Sequence, residues 1–171
     1  MGGDVSDAAG WRGTLVERDD ALARLQDAAA RARAGQGAIA IVTGEAGAGK
    51  TSVINEFVRR TEDRGLIARG ACDPLAVPRP LGPLIDAAGD VDAVLAQRLT
   101  AGTSRAEAFG IALGILDGTR SGGRLTVFVL EDAHWADEAT LDLLVFLGRR
   151  VSAYPTLLDV ARTKGTLKPG F

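Results

Sequence analysis

Apolar residues follow two different spacings along the chain, and the two alternate. Short runs of β-branched residues and leucine predict strands at 38–42, 66–70, 125–130 and 155–161. Apolar residues spaced three or four apart predict helices at 19–34, 52–64, 84–99, 104–118 and 138–150. Ser104 with Glu107, and Asp137, have the spacing of N-terminal caps for the last two helices. Strands that alternate with helices predict a parallel sheet with helices on both faces.

A complete phosphate-binding pattern, G-x-x-x-x-G-K-[ST], lies between the first predicted strand and the next helix. Glycines let successive N–H groups turn toward phosphate oxygens, and the following helix adds the positive end of its dipole. Lys50 would reach the β- and γ-phosphates, and the Thr51 hydroxyl would bind Mg²⁺. The alternative, a glycine-rich turn that matches by chance, does not explain the flanking strand and helix. The predicted nucleotide-binding residues are Gly44, Glu45, Ala46, Gly47, Ala48, Gly49, Lys50, Thr51 and Ser52.

Two carboxylates, Glu131 and Asp132, follow the most strand-like run of the chain. A phosphate loop needs such a partner to hold Mg²⁺ and to orient the attacking water. We therefore predict Lys50, Glu131 and Asp132 as catalytic residues and Thr51, Glu131 and Asp132 as metal ligands, and the division between the two acids stays open. The alternative for Asp132 is a solvated helix cap. His134 either senses the γ-phosphate or packs beside the strand, whereas we expect Trp135 to pack.

Composition narrows the function classes further. The chain has 171 residues, 46% hydrophobic and 25% charged, which suits one globular domain. A net charge of −2 gives no case for a nucleic-acid surface, and a single cysteine excludes an internal disulfide. No apolar run could span a bilayer, and the N-terminus is unlike a secretory signal. We expect a cytoplasmic protein with no membrane partner and no direct nucleic-acid contact.

Four segments together resemble the ATPase domain of STAND/AAA-type regulators: LVERDDALARL, IVTGEAGAGKT, RGACDP with GPLIDAA, and VLEDAHWADEATLDLLVFLGRR. The likeness covers about residues 15–162 and is greatest to the large LuxR-type, MalT-like transcriptional regulators. It implies a P-loop ATPase that uses ATP and Mg²⁺ as a switch. It also implies a three-layer α/β fold whose parallel sheet has an order resembling 5-1-4-3-2.

The resemblance also implies roles for two arginines. The family's N-terminal box lies near the adenine, and here that box ends in Arg18, with Glu17 where glycine is common. The strand after the EDAHWAD helix ends, in the family, in a polar or basic residue that faces the γ-phosphate. Arg162 or Thr163 has that place in this chain.

The chain departs from the family in two ways. Asp159 interrupts an otherwise apolar strand, so either a buried carboxyl stays protonated there or the strand is frayed. The sequence also stops before the family's fifth strand, helical lid and effector domains. We therefore expect a partial ATPase domain at 14–163, with a flexible N-terminal tail at 1–13 and a C-terminal tail at 164–171. Without strand five, strand 38–42 becomes an exposed edge, which is a site for self-association.

These expectations lead to one function and two alternatives. The first is an ATP- and Mg²⁺-binding switch module whose hydrolysis is weak or lost, since no lid would cover the nucleotide. The second is a non-enzymatic remnant of a truncated regulator. The third is a small P-loop kinase, which would need an acceptor pocket and a basic lid, and the region after Arg162 is too short for them.

Overall fold

A parallel four-stranded sheet in the order β1-β4-β3-β2 forms the centre of the protein, as seen in a computed structural model. The structure describes residues 7–75, 77–118, 122 and 124–163, and it describes the backbone alone at residues 7–17 and 62. The elements are α1 (Asp7–Arg33), β1 (Ala38–Gly44), α2 (Lys50–Thr61), β2 (Gly65–Ala71), α3 (Gly82–Val91), α4 (Ala93–Thr100), α5 (Arg105–Leu116), β3 (Leu125–Glu131), α6 (Glu138–Gly148) and β4 (Thr156–Thr163). This confirms the α/β class, the parallel sheet and the predicted order of the first four strands.

Two apolar layers sandwich the sheet. On one face, α1 and α2 pack against it through residues such as Leu25 and Phe57. On the other face, helices α3 to α6 form the larger core, which includes Ile115 and Leu147. Strand β3 is buried along its length apart from Glu131, which explains why its sequence is apolar at every position before Glu131 except Thr126 rather than alternating. In the described part of the chain, no helix is long and apolar enough to cross a bilayer.

The predicted helix caps are confirmed. The Ser104 hydroxyl accepts a hydrogen bond from the Glu107 amide at 3.3 Å, and the Glu107 carboxylate accepts one from the Ser104 amide at 3.2 Å. The Asp137 carboxylate accepts a hydrogen bond from the Thr140 amide at 3.1 Å. These contacts satisfy amides that a helix N-terminus leaves without partners, so the sequence determines where α5 and α6 begin.

Two helix boundaries differ from the sequence prediction. The single helix predicted at 84–99 is wrong, because Asp92 has extended backbone and caps a separate helix, α4, by accepting a hydrogen bond from the Val94 amide at 2.8 Å. Helix α1 begins at Asp7, so it includes residues 7–13 of the segment predicted as a tail. Alanines in this segment, such as Ala8 and Ala9, favour the helical backbone. Residues 1–6 and the predicted C-terminal tail lie outside the described residues.

Gly70 lets helix α3 approach strand β2 unusually closely. A Cβ atom on Gly70 would lie 2.0 Å from the backbone carbonyl oxygen of Pro83, in the first turn of α3. Atoms cannot approach that closely, so any other residue at position 70 would push the helix away from the sheet.

Asp159 lies in the middle of an intact strand, so a frayed β4 is excluded. Its backbone pairs in register with Ala40 on β1 and Val129 on β3. The side chain is completely buried, and neither carboxylate oxygen has a hydrogen-bond partner in the described part of the chain. Burial raises the pKa of Asp159 to about 7, and the charge of Glu131 adds to this rise while Arg69 opposes it.

We predict that Asp159 makes the protein less stable as the pH rises. The raised pKa means that the folded state holds the proton more tightly, so this stability is complete below about pH 4 and is lost as the pH rises toward 7. Between about pH 5 and pH 8, the free energy of unfolding should fall by about 2–3 kcal/mol more in the wild type than in D159N. Urea denaturation of both proteins at the two pH values measures this, and equal pH dependence would contradict it.

Candidate functional site

The glycine-rich loop curls between β1 and the N-terminus of α2. Gly47 and Gly49 have φ angles of +79° and +80°, which residues with a side chain rarely adopt. A Cβ atom at either position would meet nothing within 4 Å, so the backbone conformation and not the space requires glycine there. The Ala48 amide donates to the Glu45 carbonyl at 3.1 Å and closes the turn. The loop thus leaves an open concave backbone at the positive end of a helix, which is suited to an anion.

Lys50 is the first residue of α2, and its side chain folds back over the loop. Its ammonium donates hydrogen bonds to the carbonyl oxygens of Gly44 at 3.0 Å and Glu45 at 2.9 Å. No carboxylate in the described part of the chain forms an ion pair with it. The positive charge is therefore held at the loop by neutral groups and stays available to an anionic ligand.

One hydrogen bond joins the loop to the acidic end of β3. The Thr51 hydroxyl donates to Oε2 of Glu131 at 3.3 Å, across 80 residues of sequence. Strands β1 and β3 are parallel and are separated by β4 alone, so their carboxyl ends meet at the same edge of the sheet. The structure therefore brings Lys50, Thr51 and Glu131 together on one side of the molecule.

Arg69 and Asn55 complete this site, and sequence reasoning missed both. The Arg69 guanidinium donates to Oε1 of Glu131 at 2.5 Å and to the Asn55 side-chain oxygen at 2.9 Å. Asn55 lies one helical turn after Thr51, so a chain of side-chain hydrogen bonds runs from Thr51 through Glu131 and Arg69 back to the same helix at Asn55. Arg69 is near the carboxyl end of β2, next to β3, and this position was the one available sequence signal.

Three further residues that the sequence singled out lie directly after Glu131: Asp132, His134 and Trp135. Asp132 has a left-handed backbone with φ of +53° and is exposed, and its side chain forms no hydrogen bond in the described part of the chain, although its carbonyl accepts one from the Trp135 amide at 2.8 Å. The expectation that Trp135 packs is wrong in large part, because 47% of its surface is exposed. His134 is half-buried with its ring 5.2 Å from that of Trp135, and its Nδ1 has no partner among the described residues. The choice between a sensing and a packing role for His134 stays open.

Three predicted nucleotide-binding residues remain: Arg162, Ser52 and Arg18. Arg162 pairs in register with Thr43, one residue before the loop, and its Nε is buried without a partner in the described part of the chain. Ser52 is exposed in the first turn of α2. Arg18 is exposed on α1, on the half of the helix that extends toward the carboxyl edge of the sheet. None of these three forms a hydrogen bond or ion pair with a described residue of the loop.

A negative environment surrounds the acidic strand end. The amide of Cys72, just after β2, donates to the Glu131 carbonyl at 3.0 Å. Burial raises the pKa of the Cys72 thiol to about 12, and the charges of Asp137, Asp132 and Asp73 raise it further. Three carboxylates therefore act on the Cys72 thiol, which burial and their charge keep protonated.

The oxygen ligands available at this edge fit Mg²⁺ bound together with a phosphate. The described residues contain no group of three or more histidine, cysteine or acidic side chains arranged to hold a metal on their own. Magnesium at nucleotide sites uses one or two protein oxygens and takes the rest from phosphates and water. The Thr51 hydroxyl and the Glu131 carboxylate are such a pair, and they lie beside the glycine-rich loop that is suited to phosphate.

The sequence matches the AAA ATPase domain family over residues 14–158. The chain belongs to this family. Membership agrees with the glycine-rich loop, the acidic strand end and the parallel sheet, and it indicates a nucleotide-binding domain.

Comparison with solved structures gives a distant likeness. The chain is similar to one in the structure of Drosophila ORC bound to GC-rich DNA and Cdc6, with 17% sequence identity and a TM-score of 0.40. The match covers 94% of this chain and 29% of that one, so this chain spans less than a third of its neighbour's length. A search of curated proteins found no significant match.

We predict that the loop glycines are required for their backbone conformation. Replacing Gly49 by alanine should lower the free energy of unfolding by about 1–2 kcal/mol, because alanine is strained at positive φ. Gly114→Ala is the matched control, since Gly114 lies inside α5 and also has open space for a Cβ. That change should stabilise the protein by about 0.5–1 kcal/mol. Thermal or urea denaturation tests both, and equal effects of the two changes would contradict the prediction.

Proposed function

We propose that this AAA ATPase domain binds ATP together with Mg²⁺ and hydrolyses it slowly. The contact that carries this proposal is the 3.3 Å hydrogen bond between Thr51 and Glu131, which places the phosphate loop against an acidic strand end. Phosphate and magnesium need these two features within a few ångströms of each other. Family membership over residues 14–158 supports the same function.

Each residue of the site has a role that follows from its chemistry. The loop amides and the N-terminus of α2 would bind the phosphates, and Lys50 would exchange its carbonyl partners for phosphate oxygens. Thr51 and Glu131 would hold Mg²⁺, which neutralises phosphate charge when bound. Arg162 and Arg18 are proposed to act at the γ-phosphate and the adenine, as the family resemblance implies.

Two observations support slow hydrolysis. Asp132, the candidate for orienting the attacking water, is exposed and has no hydrogen bond that fixes its side chain in the described part of the chain. Glu131 is held by Arg69 on one oxygen and by Thr51 on the other, an arrangement that suits a fixed metal ligand better than a base that must move to its water. Asp132 lacks a fixed orientation toward a water, and Glu131 is held in one orientation by its two donors. Both features favour nucleotide binding over hydrolysis.

We further propose that the domain is the nucleotide switch of a LuxR-type regulator, on the strength of the EDAHWAD segment and its neighbours. A non-enzymatic remnant and a small P-loop kinase are the alternatives. Binding without phosphate release favours the remnant, and phosphate transfer to an added metabolite in place of release to water favours the kinase.

We predict that a fluorescent ATP analogue binds the full chain in a Mg²⁺-dependent manner. Lys50→Ala should weaken binding by at least about tenfold, because a charge-assisted contact to phosphate is lost. Arg60→Ala is the control, since it removes one positive charge from the far end of the same helix. Thr51→Ala should reduce the gain in affinity that Mg²⁺ gives and leave the Mg²⁺-free affinity unchanged.

Phosphate release under saturating ATP then tests turnover. We expect a slow rate in the wild type, and a further loss in Glu131→Gln or Asp132→Asn if hydrolysis occurs at this site. The absence of binding at millimolar nucleotide would overturn the proposal. Rapid turnover abolished by Lys50→Ala would overturn the slow rate alone.

A further inference from the structure

The amino ends of the four parallel strands lie at one edge of the sheet, opposite the glycine-rich loop. Helices α1 and α2 end at this edge in basic turns, and α6 ends there at its C-cap, Arg149. Arg64 and Arg124 come directly before β2 and β3. We call the following exposed side chains the arginine edge: Arg31, Arg33, Arg59, Arg60, Arg64, Arg124, Arg149 and Arg150.

Packing brings these arginines onto one surface. A Cβ atom on Gly37 would lie 2.0 Å from the carbonyl oxygen of Val151, so the segment after α1 packs directly against the turn after α6. Strands β2 and β3 begin at neighbouring positions in register, which places Arg64 beside Arg124. The arginines come from both helical layers and from the sheet between them, so they are spread across the edge instead of converging on one point.

Acidic side chains neutralise only part of this charge. Arg59 and Arg60 share one partner, Glu56, at 2.8 and 2.6 Å. Asp63 and Asp117 are the other acidic side chains that the structure describes in these connections. Four arginines form no ion pair with a described residue: Arg31, Arg33, Arg64 and Arg149.

The net charge of the whole chain conceals this concentration of arginine. The chain has a net charge of −2, so the residues outside the arginine edge carry an excess of acid. Opposite charges are thus separated onto different parts of the surface, and a local positive field can attract a polyanion even though the chain as a whole is slightly acidic.

The chemistry of the arginine edge favours the phosphate backbone of a duplex. Guanidinium groups bind phosphate through two parallel N–H bonds, and they stay charged at physiological pH. Arginines spread over three layers cannot all contact one small anion. A nucleic-acid duplex, by contrast, carries a charge about every 1.7 Å along its axis and can contact several of them at once.

The side chains around the arginines argue against other anionic partners. In the described connections at this edge, no large apolar side chain is exposed, so the apolar anchors of protein and membrane contacts are missing there. Tyr154, the one aromatic residue of these described connections, is half-buried, whereas single strands stack on accessible rings. The helices present their carboxyl ends, whose dipoles do not attract anions, so side chains alone supply the attraction.

We propose that the arginine edge binds duplex nucleic acid through its phosphates, weakly and without reading the base sequence. This differs from the expectation of no direct nucleic-acid contact, which depended on the net charge alone. The arginine edge lies on the opposite side of the sheet from the phosphate loop, so this proposal does not depend on nucleotide binding.

Fluorescence anisotropy with the full chain and labelled duplexes of about 20 base pairs tests the proposal. If the four arginines without ion pairs each contact a phosphate, log K for association should fall against log salt concentration with a slope of about −4. We expect a dissociation constant on the order of 10⁻⁵ M at about 50 mM salt. Two unrelated DNA sequences and a duplex RNA of the same length should bind within about threefold of each other, because phosphates alone are contacted.

A pair of double variants locates the binding surface. Arg33→Gln/Arg149→Gln removes two phosphate contacts, so it should weaken binding at least about tenfold at about 50 mM salt and reduce the slope to about −2. Arg24→Gln/Arg98→Gln is the matched control, because it removes the same charge from exposed arginines outside the arginine edge. This control should keep the wild-type affinity and slope, and circular dichroism of both variants checks that they are folded.

Polyglutamate at the same concentration of charge represents an acidic protein partner. We expect it to bind at least about tenfold more weakly than the duplex, because an extended polypeptide carries a charge only about every 3.5 Å. Binding of polyglutamate as tight as that of the duplex would overturn the proposal. So would a lack of duplex binding at about 0.5 mM chain, an equal loss of affinity in the control variant, or a clear preference for one duplex sequence.

Discussion

The burial of β3 on both faces is the constraint on which the rest of the structure depends. This strand lies between β2 and β4, and its apolar side chains join the two cores that cover the sheet. Removing such a strand from water on both sides contributes stabilising burial to both cores at once. Because β3 cannot shift without exposing both cores, the point where it leaves the sheet is fixed, and Glu131 is the residue at that point.

Glu131 then connects elements that are far apart in the sequence. It accepts hydrogen bonds from Thr51 on α2 and from Arg69 on β2, and Arg69 in turn reaches Asn55 on α2. A carboxylate with two donors from different elements is held in one orientation, which is what a metal ligand requires. The same arrangement removes the freedom that a general base needs, so one geometry accounts for both the proposed binding and the proposed slow hydrolysis.

Local sequence signals predicted most of the fold. The GEAGAGKT segment identified the loop, alternating spacings identified the strands, and Ser104 and Asp137 marked the first turns of α5 and α6. These features depend on neighbours within four or five residues, so they are visible without a structure. The break at Asp92 was missed because the apolar spacing continues through it, although aspartate is itself a common helix cap.

Long-range features could not be predicted in the same way. Arg69 contacts Glu131 over 62 residues of sequence, and its place near the end of a predicted strand was not enough by itself to mark it as part of the site. The sequence left two alternatives for Asp159, a buried carboxyl or a frayed strand. The full pairing of β4 was needed to show that the strand is intact and the carboxyl is buried. Trp135 was misjudged because its exposure depends on how the loop after β3 leaves the surface.

The close approach at Gly70 has a consequence for how this region can evolve. Gly70 follows Arg69 directly, and the backbone of α3 occupies the space that any side chain at position 70 would need. The backbone of α3 therefore packs directly against β2, and the strand cannot shift there to make room for a larger residue. Substitution at this point is restricted to a residue without a side chain, and the backbone from which the Arg69 side chain leaves is fixed with it.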